Sequence, residues 1–455
     1  MYAIILLGDW FMYEFKKIFI IGLARSGYEC AKLLAKNNKI TLVDENKEDI
    51  HIEELKNSGV DVIIAPKEEQ SDFLDSSFDV VIRNPGVPLD SRCVLKAREL
   101  NIPITGDVDI AYNLLPKDIK IIAITGSNGK TTTTTMIYEI LKSASLPVHL
   151  GGNIGYPVTS LVNKVKEKDI LVLEISDHQL VNMQDFKSDI SILTNIVESH
   201  IDFHGSYEAY KKTKKKIFNN HNESSIAIIN ASNQESMDLT SDIPSHKIYF
   251  STKKESNIYL KDESIYYDNE LLINTNDIKL VGNHNYENIM CTLAVCKELK
   301  VDMNIMREFL KNFSGVEHRL EYVGQIVGII YYNDAKSTNT AATLTALSSF
   351  KKPIHLLLGG LDRGHSFDEI AKYKNNIQKI YAYGEVKDRI KNFANEFNIE
   401  CISLDNLKEA TIAASKHAKA GEVVLLSPAC ASWDQYEKFE DRGREFKDTI
   451  NDICQ

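Results

Sequence analysis

An α/β fold in three successive blocks is what this sequence predicts, and three observations predict it. Short apolar stretches of strand length alternate with helical segments along the whole chain. One of them, Ile121 to Ile124, opens into a glycine-containing turn and then a helix, in IIAITGSNGKTTTTT (121–135). Polar clusters recur just past strand ends, where open α/β sheets take their ligands. At roughly 100–200 residues per domain, 455 residues make roughly two to four domains.

The first block begins with KIFIIG, turns at LARSG, runs through the helical YECAKLLAKN and returns in KITLVD. Gly22 and Gly27 lie in the turn, and Asp44 ends the second strand. The unit resembles a dinucleotide fold, but Ala24 stands where G-x-G-x-x-G has its second glycine. A side chain there crowds a pyrophosphate. The turn therefore reads as Rossmann-like for a different nucleotide, or as a purely structural βα connection. VDVIIA and FDVVIRNPGVP follow, with a turn at Pro85-Gly86.

The second block starts near residue 108. Gly126, Ser127, Asn128, Gly129, Lys130, Thr131 and Thr132 have the layout of a phosphate-binding loop, the plain alternative being an ordinary strand-to-helix turn that contains Gly-Lys, with a helix expected over Thr132–Leu141. Backbone N–H groups and a helix N-terminus face an anion, the lysine supplies a point charge, and a hydroxyl can ligate Mg²⁺. Ile124 occupies the place of the strict pattern's first glycine. DILVLEIS, SDISILTNI, SIAIINA and a β-rich stretch around 247–280 continue the block, which closes on a helix containing NHNYENIMCTLAVCKEL.

Glu174 ends the strand LVLEIS, where a Mg²⁺ ligand belongs beside a phosphate loop; the plain alternative is a solvated strand-end acid. His200 follows the next strand, as a second metal ligand or a structural histidine. In YEAYKKTKKKIF, Tyr210, Lys214, Ile217 and Phe218 fall on one helical stripe, while Lys212, Lys215 and Lys216 point away. A lysine on an inward stripe is costly without a partner or a changed charge state. Asn283, His284, Asn285 and Asn288 cap a helix or meet a base edge.

The third block begins near 316 and alternates GIIYYND, IHLLLGG, KIYAYG and EVVLLSPA with helices, again a doubly wound pattern. His318 and Arg319 stand at its start. Asp334, Lys336, Ser337, Thr338 and Asn339 follow one strand, Asp362 and Arg363 the next, and SPACASWDQYEKFEDRGREF overlaps and follows the last.

Composition limits the alternatives. With 43% hydrophobic and 26% charged residues the chain can bury several cores. A net charge of −11 argues against nucleic acid as a bulk partner. Seven scattered cysteines, none spaced C-x-x-C, fit a reducing cytosol and offer no zinc site. MYAIILLGDWF lacks a basic n-region and is too short to span a bilayer; Met12 is a more natural start, so residues 1–11 read as an upstream extension. No later segment is long and apolar enough for membrane insertion.

Taken together, ITGSNGKTT, GGNIG (151–155), LEIS, ESHIDFHGS, GNHNYEN, HRLE, NDAKSTN, LLLGGLDRG and LLSPACASWDQYEKFEDRGREF resemble the motifs of the Mur ligases, in family order over essentially the whole chain. The last motif points to the D-glutamate-adding branch; the D-x-R-N signature of the meso-diaminopimelate-adding relatives is not visible. The resemblance implies a Rossmann-like N-terminal domain (1–107) that binds the UDP substrate, a central P-loop-type ATPase α/β domain (108–315), and a Rossmann-like C-terminal domain (316–455) for the amino acid. It implies ATP-dependent amide-bond formation between UDP-N-acetylmuramoyl-L-alanine and D-glutamate through an acyl phosphate. The setting would be cytoplasmic peptidoglycan precursor synthesis by a monomer.

By the same resemblance, Gly22, Arg25, Ser26, Gly27, Asp44, Asn84, Gly86, Gly106 and Asn153 contact the UDP substrate. Gly126 to Thr132, Asn288, Arg319 and Asp334 contact ATP. Thr131 and Glu174 hold one Mg²⁺, and His200 a second together with Lys214 as a carbamate. Lys336, Thr338, Arg363, Ser432 and Phe439 surround D-glutamate; Lys130, Glu174, His200, Lys214 and Lys336 carry catalysis. The chain departs from the family's usual E-[LI]-S-S-F-Q-L, placing Asp177 and His178 where serine and phenylalanine are usual and adding a carboxylate beside the cation. Ser199 likewise stands where an acid is usual, and NDAKSTN varies N-D-S-K-A-T-N. Two other readings compete: a relative adding another amino acid, such as a sister ligase or a folate polyglutamate synthase, and a non-catalytic binder on the same fold.

Overall fold

The computed structural model describes residues 16–453, so the N-terminal extension read from the sequence and Cys454 lie outside the described residues. Three sheets account for the three blocks. The first joins β1 (Lys17–Ile21), β2 (Lys39–Asp44), β3 (Asp61–Ile64), β4 (Val80–Arg83) and β5 (Ile104–Thr105) in the order β3-β2-β1-β4-β5, all parallel. The strand order reverses between β1 and β4, which opens a crevice at their carboxyl ends.

The second sheet joins β6 (Lys120–Thr125), β7 (Val148–Gly152), β8 (Ile170–Glu174), β9 (Ile190–Leu193), β10 (Ile226–Asn230), β11 (His246–Ser251), β12 (Ile258–Lys261), β13 (Ser264–Tyr267) and β14 (Glu270–Asn274). Its order is β14-β13-β12-β11-β10-β9-β6-β8-β7, so β6 sits between β8 and β9, parallel to both. β8 is buried at every residue, which is why ILVLE reads as a continuous rather than alternating run. β12 and β13 form an antiparallel hairpin whose turn residues, Asp262 and Glu263, both have positive φ, as a type I′ turn requires.

The third sheet joins β15 (Glu321–Ile326), β16 (Ile329–Asn333), β17 (Ile354–Gly359), β18 (Ile377–Tyr383), β19 (Cys401–Ser403) and β20 (Val423–Ala429) in the order β15-β16-β20-β17-β18-β19. Only β15 runs antiparallel to its neighbour. Alternate residues serve opposite faces. Leu356, Leu358 and Leu425 pack into one core, and Leu357, Val424 and Leu426 into another. Each fully buried aliphatic side chain contributes about 1.5–3 kcal/mol.

The chain divides into two compact units. One runs to Leu272 and takes in Glu287–Met306; the other holds Ile273–Tyr286 and continues from Arg307. In the first unit a single core runs through both of its main sheets, from Ile18, Ile20 and Leu42 to Ile121, Leu171 and Leu193. The buried carboxylate of Asp109 accepts the backbone N–H groups of Gln184 (2.6 Å) and Phe186 (2.9 Å), fastening the helix Asp107–Leu114 to the second sheet. Arg83 at the end of β4 is also buried; it donates to the carbonyls of Pro85, Val87 and His178 and to the Asn182 amide. No helix among the described residues is long and apolar enough to cross a membrane.

Candidate active site

The loop after β6 has the geometry of an anion cradle. The helix that follows spans Lys130–Ser143, beginning two residues before the sequence-based start and ending two residues later. The run of five threonines has poor helix propensity. Gly129 nevertheless takes the left-handed conformation at the N-cap (φ 84°), so the helix begins at once, and Thr134 Oγ1 bonds back to the Lys130 carbonyl at 2.8 Å. A Cβ at Gly129 would lie 2.2 Å from Asn288 Oδ1, so glycine is needed for space as well as for φ.

The loop is fixed from the neighbouring strand end. Ser127 N–H donates to the Asn195 carbonyl (2.9 Å), Asn128 N–H to Asn195 Oδ1 (3.0 Å) and Thr194 Oγ1 to the Asn128 carbonyl (2.5 Å). Lys130 Nζ folds over the loop and donates to the carbonyls of Gly126 (2.8 Å) and Ser127 (2.9 Å). Thr133 Oγ1 bonds Asn288 Oδ1 at 3.3 Å, which brings that distant asparagine to the loop.

Glu174, at the adjacent end of β8, is buried. Its Oε1 accepts from Asn153 Nδ2 at 2.7 Å, while Oε2 has no hydrogen-bond partner. A buried carboxylate oxygen left in that condition suits a cation ligand. Lys214 is fully buried on the helix Tyr207–Lys215, beside Tyr210, with Ile217 and Phe218 completing the inward stripe. Its Nζ lies 3.3 Å from both Thr125 Oγ1 and Asp177 Oδ1. Burial, then the nearby charge of Lys130, pushes the Lys214 ammonium down to about 7.

Burial alone would raise the Asp177 carboxyl. The charge of Lys214 and hydrogen bonds from His204 and His200 outweigh it and hold the group well below the usual carboxylate range. Asp177 also lies against His178, whose own ionisation burial pushes down.

In the first sheet a cavity of about 490 Å³ opens at the carboxyl ends of β1, β2 and β4, lined by Gly22, Asp44 and Gly86 among others. Asp44 Oδ2 accepts the Leu23 N–H at 2.6 Å, which closes the turn from the next strand. Asn84 packs under Gly22, and a Cβ on Gly27 would stand 1.9 Å from the Gly22 carbonyl oxygen. The remaining predicted substrate contacts lie outside this cavity's lining. Arg25 donates to the Gly155 carbonyl (2.6 Å), Ser26 Oγ to Asp107 (3.1 Å), Gly106 caps the helix Asp107–Leu114, and Asn153 joins Glu174.

In the second unit the polar clusters follow three adjacent strands. Lys336 and Thr338 follow β16, Arg363 follows β17 and Ser432 follows β20. The Leu361 N–H bonds the Ala431 carbonyl at 2.9 Å and ties the last two turns together. Arg363 lies 4.7 Å from the exposed ring of Trp433, and Lys336 Nζ 5.4 Å from that of Phe439. Asp334 is buried; its Oδ2 accepts from Ser337 (2.5 Å) and Ser427 (2.8 Å), and burial raises its carboxyl to about 6. Arg319 has a buried Nε with no hydrogen-bond partner.

Three family profiles match in succession: "Mur ligase MurD-like, N-terminal domain" over 16–106, "Mur ligase middle domain" over 124–296 and "Mur ligase, glutamate ligase domain" over 318–430. A UDP-N-acetylmuramoylalanine–D-glutamate ligase from a Geobacillus species is 40% identical over 97% of this chain and 98% of its own length. The chain belongs to the Mur ligase family. The like-named enzyme of Streptococcus agalactiae is 39% identical over the same shares. The crystal structure of the Thermotoga maritima UDP-N-acetylmuramate–alanine ligase matches with TM-score 0.58 at 19% identity, covering 96% of this chain and 100% of that one, a likeness of fold.

Three features of this Mur ligase chain were not reached from its sequence. Lys67 and Arg92 place two cations on the lining of the N-terminal cavity, one from a turn and one from the first residue of the helix Arg92–Glu99, neither of which carries a motif. His204 joins the Asp177 cluster; its spacing four residues beyond His200 in ESHIDFHG was the available signal. Trp433 lay unremarked inside the long C-terminal motif.

Proposed function

We propose that this Mur ligase joins D-glutamate to UDP-N-acetylmuramoyl-L-alanine with consumption of ATP, as its relatives' names state for them. The observation that carries the reading is local. Of five neighbouring lysines, Lys214 alone is buried, next to Thr125 where β6 enters the phosphate loop and to Asp177 just past β8. The substrate carboxylate attacks the γ-phosphorus of ATP, the bond to the bridging oxygen breaks, and ADP leaves. The amine of D-glutamate then attacks the acyl phosphate carbon, loses a proton and expels phosphate. No enzyme nucleophile is required, so positioning and charge stabilisation do the catalysis.

Lys130 and the loop amides within Gly126 to Thr132, other than those of Ser127 and Asn128 that Asn195 takes, hold the phosphates, with Asn288 buttressing the loop. Arg319 and Asp334 serve the nucleotide from the C-terminal domain. Thr131 and Glu174 would hold one Mg²⁺ and His200 with Lys214 a second cation, which supply charge neutralisation when bound; the partnerless Glu174 oxygen fits that role. A Lys214 amine that is part neutral near pH 7 supports its reaction with CO₂ to a carbamate. Gly22, Asp44, Gly86 and their neighbours receive the UDP end. Lys336, Thr338, Arg363, Ser432 and Phe439 receive D-glutamate. Domains at 1–107, 108–315 and 316–455, a cytoplasmic location and a monomeric state complete the reading.

Phosphate release with UDP-N-acetylmuramoyl-L-alanine and a panel of amino acids tests it. Release with D-glutamate alone is the expected result. Release only with another amino acid transfers the chain to a sister specificity, and nucleotide binding without turnover makes it a non-catalytic binder.

A further inference from the structure

Asp177 and His178, the two residues that depart from the family pattern, stand in a cluster with an unusual focus. Three imidazoles converge on one oxygen of the buried Asp177 carboxylate: His200 Nδ1 at 2.8 Å, His204 Nε2 at 2.8 Å and His178 Nδ1 at 3.4 Å. His200 and His204 hydrogen-bond that oxygen and use its two lone pairs, whereas His178 stands 3.4 Å away without a hydrogen bond to it, so hydrogen bonding leaves the position of the third ring unexplained. Donor atoms of Asp177, His178 and His200 all lie within 4.8 Å of one another.

The rings are also held in place. His178 packs on Phe203 with centroids 4.0 Å apart, and His204 packs on Phe203 and Tyr210. His200, at the N-cap of the helix Ile201–His204, is fixed in the left-handed region at φ 50°.

We propose that Asp177, His178 and His200 bind a divalent transition-metal ion, with His204 as the positioning residue that orients the Asp177 carboxylate. The proposal deepens the ligase reading at its second cation position. Two imidazoles and one carboxylate favour Zn²⁺ or Co²⁺ over Mg²⁺, which prefers oxygen ligands in octahedral array. Thr131 and Glu174 offer oxygen alone. The chain thus separates its two cation positions by donor chemistry, and serine and phenylalanine at 177 and 178 would remove that distinction. A His204 ring bonded to the ligating carboxylate matches the outer-shell support that such sites carry.

The test is a Co²⁺ titration of the chelator-treated full chain, followed by visible absorption, with Zn²⁺ and Mg²⁺ as competitors. One equivalent of Co²⁺ should give the absorption of an imidazole-ligated ion, displaced by Zn²⁺ and retained in large excess of Mg²⁺. His178→Phe and Asp177→Ser should each weaken Co²⁺ binding at least about 10-fold. Thermal melts report whether each variant folds; should the buried Asp177→Ser change prevent folding, the half-buried His178→Phe decides. No visible band, displacement by Mg²⁺ at equal concentration, or wild-type Co²⁺ affinity in a folded His178→Phe variant overturns the proposal. Phosphate release on D-glutamate in the same preparation separates the two readings. Turnover with unchanged Co²⁺ affinity in His178→Phe ends the metal site alone. Co²⁺ binding as expected without D-glutamate turnover ends the ligase assignment alone.

Discussion

Two βα turns in the first unit occupy equivalent places and differ in what they present. The turn after β1 and the loop after β6 each leave a central parallel strand, each carry a glycine at positive φ, and each are clasped by a neighbouring strand end. In the first, Asp44 takes a backbone N–H, Ala24 occupies the second glycine position, and the crevice beside it is a cavity of about 490 Å³ with Lys67 and Arg92 on its lining. In the second, Asn195 and Thr194 do the clasping, and the lysine of the loop itself folds back over the backbone. The first is a shaped pocket with cations brought from outside; the second carries its cation within. Strand topology places both turns, and the residues in each decide what it presents.

The largest expected effect removes that internal cation. Lys130→Ala should lower kcat by at least about 1,000-fold, because the proposed reading has this lysine stabilise charge on the transferring phosphoryl group. Calorimetric affinity for the UDP substrate should stay within about two-fold of wild type, since the first turn is untouched. Near-normal turnover, or equal loss at both ends, would erase the distinction between the two turns.

Lys214→Ala should follow at about 100-fold in kcat, while Lys215→Ala, whose ammonium pairs with Asp242 at the surface, should stay close to wild type. Phosphate release compares them directly. Equal effects would deny that burial, rather than charge alone, selects the working lysine.

A smaller change belongs to the first turn. A methyl on Gly27 would lie 1.9 Å from the Gly22 carbonyl oxygen, so Gly27→Ala must shift the turn. KM for the UDP substrate should rise about 10-fold, one good contact's worth, with KM for ATP unchanged. An equal rise in both would mean that the substitution loosens the whole unit.

These contrasts show what a single sequence discloses. Lys214 was legible because helical spacing alone puts it on the stripe of Tyr210, Ile217 and Phe218, all of which are buried. The three sheets were legible because buried parallel strands read as apolar runs and polar clusters mark their carboxyl ends. The phosphate helix began earlier than its threonines suggested because one left-handed glycine outweighs β-branched propensity. Arg83 was not legible. A charged residue at a strand end looks solvated, and only the tertiary fold supplies the carbonyls of Pro85, Val87 and His178 that receive it. The same holds for Lys67, in a turn, and Arg92, at the start of the helix Arg92–Glu99, whose approach to the cavity no local pattern fixes.

The last expectation concerns stability and leaves turnover at neutral pH alone. His221 is buried among Ser188, Ser191 and Ser245, and burial lowers its pKa from 6.5 to about 4. The unfolded chain therefore binds the extra proton first, so this contribution is full above pH 6.5 and is lost as pH falls through 4. Asp334 in the other unit has the opposite sign. Burial raises its folded pKa from 3.8 to about 6, so its contribution is full below 3.8 and is lost as pH rises through 6. Each is worth about 3 kcal/mol at most. On acidification from pH 7 to 4.5, amide exchange corrected for its intrinsic rate should speed up in β9 and β10 and slow down in β16 and β20. Movement in the same direction in both units would show that they unfold as one, and that neither buried group governs its own surroundings.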